Sequence, residues 1–108
     1  MQLSVEVVGD LGIIGVRGEL DHLQAGGLQA AVEGALQDGA RSLVIDCTEV
    51  SFVDSTGVSA LVDAQQKTSL RFGTVTIRNA GTFLLRVLEM AELDRVLLFD
   101  GGGPQPVS

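Results

Sequence analysis

Residues 43–64 read LVIDCTEVSFVDSTGVSALVDA. The continuous apolar run Leu43-Val44-Ile45, rich in β-branched side chains, suits a strand buried on both faces of a sheet. From Ser55 the spacing changes, because Val58, Leu61 and Val62 recur at helical intervals, and the helix they mark should stop near Phe72-Gly73. The switch from strand to helix falls on Asp54-Ser55-Thr56-Gly57, which places two hydroxyls, a carboxylate and a glycine where a strand's carboxyl end meets a helix N-terminus. In α/β sheets, ligand and partner sites collect at such ends.

On the N-terminal side, Leu3, Val5 and Val7 alternate with polar residues, Gly9-Asp10 offers a turn, and Ile13 to Val16 forms a second apolar run, so the chain should begin with a β-hairpin. After Asp21, the residues Leu28, Ala31, Val32, Ala35 and Leu36 predict a helix that stops at Gly39 and is weakened at its start by Gly26-Gly27. On the C-terminal side, Thr74 to Arg78 alternates as a strand, Phe83, Leu84, Val87, Leu88 and Ala91 predict a third helix, and Val96 to Phe99 a last strand. The order β-β-α-β-α-β-α-β implies an α/β fold with a mixed sheet of about five strands and right-handed crossovers between its parallel members. One domain over 1–100 is expected, followed by a Gly/Pro-rich tail, 101–108, that has nothing to bury and is predicted to be disordered.

The composition is that of a globular domain, 45% hydrophobic and 19% charged over 108 residues. No apolar run is long enough to span a bilayer, and the first ten residues lack the basic start and apolar core of a signal peptide, so a cytoplasmic protein without membrane insertion is expected. Cys47, the single cysteine, lies in an apolar setting and reads as a core thiol. The net charge of −7 is unevenly placed: residues 1–54 hold nine acidic and two basic side chains, whereas residues 55–108 hold five of each. An acidic first half argues against nucleic-acid binding and is compatible with a basic protein partner.

Several chemistries can be weighed at Asp54-Ser55-Thr56-Gly57. A nucleophile elbow needs glycine two residues before the serine, and Val53 stands there. A phosphate-binding loop needs a lysine directly after its second glycine, and the nearest is Lys67. His22, the only histidine, lies beside Asp21 at a helix edge, where a triad with Ser55 is a poor fit and an incidental role fits better. No pairing of carboxylates or histidines suggests a metal, so neither cofactor nor metal is expected. Helix capping is the plain structural role, since Asp, Ser and Thr oxygens accept hydrogen bonds from first-turn amides. Beyond capping, a hydroxyl at a helix N-terminus can carry a phosphate that the helix dipole tolerates, while the carboxylate of Asp54 would repel it, giving a charge switch.

Gly18-Glu19-Leu20-Asp21, Leu43-Val44-Ile45-Asp46 leading through Val50-Ser51-Phe52-Val53 to Asp54-Ser55-Thr56-Gly57-Val58, and Leu88-Glu89-Met90-Ala91 through Phe99 together resemble the STAS domain, and within it the bacterial anti-sigma factor antagonists. The resemblance covers residues 3–99. It implies a partner-switching module: the unphosphorylated antagonist binds an anti-sigma factor with serine kinase activity, frees a sigma factor, and is switched off by phosphorylation until a serine phosphatase restores it. The family's acceptor maps onto Ser55, with Thr56 as its neighbour. Asp21 maps onto the kinase-facing surface, and with the acidic skew this predicts a docking surface that gathers Glu19, Asp21 and Asp54 with Ser55, Thr56 and Gly57. The kinase would supply ATP, Mg²⁺ and catalysis, so the chain is expected to be a regulator of transcription and not an enzyme. Other members of the family serve in lipid-transport complexes, as tails of anion transporters or in stress-signalling scaffolds. The first and last of these remain as alternatives, with a small serine hydrolase using Ser55 more distant. Many relatives carry a further helix after the last strand, where this sequence has its Gly/Pro-rich stretch.

Overall fold

Gly9, at φ +63°, supplies the positive φ needed at the first central position of a two-residue hairpin turn and joins β1 (Gln2–Val8) to β2 (Leu11–Leu20). In the computed structural model, which describes residues 2–101, there follow α1 (Ala25–Gln37), β3 (Ser42–Val53), α2 (Ser55–Ser69), β4 (Val75–Arg78), α3 (Thr82–Met90), a 3-10 turn (Leu93–Arg95) and β5 (Leu98–Asp100). The expected disorder of 101–108 falls, beyond Gly101, outside the described residues.

The sheet runs β1-β2-β3-β4-β5, with β1 antiparallel to β2 and every later pair parallel. When parallel strands are added in chain order, right-handed crossovers put every connecting helix on the same face. One core results, in which Ile14, Val16, Leu43, Ile45, Cys47, Val75 and Ile77 of the sheet meet Leu28, Val32, Leu36, Leu61, Leu84 and Leu88 of the helices. The other face carries the register row Glu6, Ile13, Val44, Thr76, Leu98. Leu43, Val44 and Ile45 are all buried, as their apolar run predicts, but Val44 is shielded on the helix-free face by its neighbours Ile13 and Thr76.

Some details depart from the sequence reading. Val62 and Val87, expected among the buried helix positions, pack at the margin of the core and stay half-exposed, because each sits at the edge of its helix's apolar stripe. β5 begins at Leu98 and not at Val96: Glu92 adopts a left-handed φ of 60° that ends α3, and the amides of Val96 and Leu97 then bond back to the Leu93 carbonyl. α1 begins at Ala25 because the Asp21 carbonyl first accepts the amides of Gln24 and Ala25 in a turn.

The long strand β3 aims the chain at the motif. Its pairing with β2 slips twice, between Gly15 and Arg17 and between Gly18 and Glu19, each time by one extra residue on β3. One bulge turns alternate side chains to the wrong face, and a second restores them. Val53 is thereby buried like Cys47, Phe52 points away from it, and Asp54 arrives beside the end of β2, where its amide donates to the Leu20 carbonyl at 3.2 Å.

Candidate functional site

The four motif residues divide their roles cleanly. Asp54 is the N-cap of α2, with extended backbone (φ −110°, ψ −175°) and Oδ1 accepting the Gly57 amide at 2.9 Å. Its Oδ2 accepts the His22 amide at 3.1 Å, and the His22 Nδ1 lies 3.6 Å away. The Gly57 amide and, after it, His22 hold the Asp54 carboxyl below its ordinary 3.8, against an opposing effect of desolvation. One carboxylate therefore caps α2 and ties it to the loop between β2 and α1.

Gly57 is set by close approach. A Cβ there would stand 2.1 Å from the Leu20 carbonyl oxygen and 2.8 Å from Cγ2 of Val53, so the first turn of α2 presses on the end of β2 with no room for a side chain. Capping falls to Asp54, which leaves Ser55 and Thr56 exposed on the first turn, and the Ser55 hydroxyl makes no hydrogen bond among the described residues.

The β2–α1 loop brings Asp21 to the same end of the sheet. Its Oδ1 accepts the Leu23 amide at 3.1 Å, closing a turn that holds the loop in shape. Glu19 is exposed and pairs in register with Phe52, two residues before Asp54. Glu19, Asp21, Asp54, Ser55, Thr56 and Gly57 thus lie at one end of the β2–β3 pair. The exposed His22 ring contacts no serine within hydrogen-bonding distance, so no triad forms, and it is the backbone amide of His22 that fastens the loop to Asp54.

Sequence reasoning misses a shallow, mostly apolar cleft of ≈ 500 Å³ lined by Val53 and Asp54, by Ser55, Val58 and Ser59 of α2 and by Val87, Met90 and Ala91 at the end of α3. Phe83, Val87 and Met90 follow one another at i, i+4 and i+7 along α3, a stripe beside the buried Leu84 and Leu88. Met90 is 86% exposed and Phe83 56%, and the Phe83 ring stacks on Phe52 with centroids 6.3 Å apart. Helical periodicity alone does not separate this stripe from the buried one, because both are apolar. A second cleft, ≈ 530 Å³, opens on the helix-free face against Ser4, Gly15, Asp46 and Thr48, and none of the expected site residues lines it.

No cluster of three or more His, Cys, Asp or Glu side chains suited to a metal occurs among the described residues. Burial and the neighbouring Asp46 carboxylate push the Cys47 thiol up to about 12, which makes it a poor nucleophile. No helix among the described residues is long and apolar enough to cross a membrane.

Residues 2–101 match the STAS domain family. The chain belongs to that family. Among its curated relatives is the anti-sigma-F factor antagonist RsfB of Mycobacterium tuberculosis, 29% identical over 85 residues, or 77% of this chain and 67% of RsfB. An anti-sigma factor antagonist of Mycobacterium paratuberculosis superposes with a TM-score of 0.80 at 25% identity, covering 92% of this chain and 84% of that one. The STAS fold is also that of the Bacillus cell-fate determinant SpoIIAA in its phosphorylated form, at a TM-score of 0.74 and 20% identity over 93% of this chain and 92% of SpoIIAA.

Proposed function

We propose that this STAS domain is an anti-sigma factor antagonist that binds an anti-sigma factor with serine kinase activity when Ser55 is unmodified, and is released when Ser55 is phosphorylated. The observation that carries the reading is the division of labour at the start of α2. Asp54 and Gly57 perform the structural tasks, so the Ser55 hydroxyl is exposed and spare.

Phosphorylation there would add about −1.5 to −2 charges beside the Asp54 carboxylate. At the helix N-terminus the new phosphate meets a favourable dipole, so the fold tolerates it, yet it burdens a contact surface with bulk, like-charge repulsion and a group that resists dehydration. Asp21 and Glu19 complete an acidic rim that would meet basic side chains of the kinase, which brings its own ATP and Mg²⁺. A separate serine phosphatase would reset Ser55. Roles in a lipid-transport complex or a stress-signalling scaffold have no specific feature in their favour.

The test is incubation of the purified protein with serine-kinase anti-sigma factors of the same organism, ATP and Mg²⁺, followed by intact mass and site mapping. One phosphoryl group on Ser55, absent in Ser55→Ala, is the expected result. Modification at Thr56 alone would refute the assignment.

A further inference from the structure

We propose that the cleft between α2 and α3, walled by Val58, Val87 and Met90 and extended by Phe83 and Phe52, is the apolar half of the docking surface, and that it receives an apolar side chain flanked by basic residues on the anti-sigma partner. This rests on the functional reading above and names a part of the interface that reading lacks.

Three observations converge on the cleft. Ser55 itself borders it, so the surface that should sense phosphorylation is continuous with the apolar wall. The Phe83, Val87 and Met90 stripe is a second apolar face on a helix whose first, Leu84 and Leu88, already meets the core. A large exposed Met beside an exposed aromatic pair is an adaptable, sticky surface of the kind that partner proteins cover.

Charge decides between occupants. Within α3 the two charged residues, Arg86 and Glu89, offset each other, whereas Asp54 itself lines the cleft and Glu19 and Asp21 stand at the adjoining end of β2 and in the loop after it. A second copy of this chain seated here would bring matching acidic rims together, on a protein of net charge −7. A partner segment with an apolar anchor and neighbouring Lys or Arg side chains satisfies both halves at once. The same arrangement explains why a phosphate would act as a release signal. A dianion at the mouth of an apolar cleft has to be dehydrated before the anchor can seat.

The probes are the full-length serine-kinase anti-sigma factors of the same organism, titrated singly against wild type, Met90→Glu, Phe83→Ala and, as a remote control, Leu70→Ala, which alters an equally exposed apolar residue just beyond the other end of α2. Thermal melts establish that each variant is folded. Expected is binding of wild type and Leu70→Ala to one kinase with similar Kd, a loss of at least about 30-fold for Met90→Glu, and about 5-fold or more for Phe83→Ala, in line with hot-spot losses of 1–2 kcal/mol and above. Unchanged affinity of Met90→Glu, with wild type binding, overturns the cleft and leaves the functional reading standing. Failure of wild type to bind any of the kinases overturns the functional reading and the cleft with it. Self-association of wild type that Met90→Glu abolishes assigns the cleft to a second copy and also overturns the proposal.

Discussion

Asp54 and Gly57 hold the motif in place, and each makes a sharp prediction. Gly57→Ala should destabilise the fold by about 1–3 kcal/mol or more, as expected when a methyl group is forced into a packed contact, here against the Leu20 carbonyl. Equilibrium urea unfolding measures it, and a change under about 0.5 kcal/mol, ordinary for surface sites, would contradict the close approach. Ser55→Ala, by contrast, should leave stability within about 0.5 kcal/mol of wild type, since the cap resides on Asp54. The pH dependence of the cap follows from its carboxyl being held below 3.8. A group with a depressed folded-state pKa contributes stability that is present above its unfolded value and is lost as pH falls through the folded one. Asp54→Ala should therefore melt below wild type at pH 7, and the gap should narrow as pH drops below 3.8. A gap that is constant from pH 7 to pH 2.5 would argue against the charge-assisted cap. Capping at the motif was legible in the sequence, but its ties to Leu20 and His22 were not, because those residues reach the motif only once β2 and β3 lie side by side.

The secondary elements were more legible than their junctions. Apolar runs and helical spacings marked all five strands and three helices, since each element buries one periodic face. The two bulges in β3 left no trace, because the second cancels the change of face caused by the first. Periodicity also could not tell α3's buried stripe from its exposed one, as both are apolar and only the tertiary packing separates Leu84 and Leu88 from Phe83 and Met90. The difference is measurable. Leu61→Ala, at a fully buried position of α2, should cost about 2–5 kcal/mol, and Val62→Ala, at the core margin, distinctly less. Equal losses in urea titration would place both side chains in the core. Cys47, buried in β3 with its thiol pushed up to about 12, should react with a disulfide reagent only as fast as the protein unfolds, and rapid labelling at pH 8 would contradict its burial.

Taken whole, the molecule sets an acidic rim and a mostly apolar cleft beside the exposed Ser55, with Asp54 common to both. If the rim steers association, the on-rate for the anti-sigma kinase should fall as salt rises, because exposed charges are screened over about 8 Å at physiological ionic strength. Asp21→Asn should both slow binding and flatten that salt dependence in stopped-flow experiments, and a variant indistinguishable from wild type would remove Asp21 from the surface. The switch itself is tested most directly by calorimetric titration of the same kinase with two preparations of the protein, one unmodified and one quantitatively phosphorylated on Ser55. Tight binding of the unmodified form and a loss of at least about 100-fold in the phosphorylated form, some 2.7 kcal/mol, is the expected outcome; equal affinity of the two would contradict it.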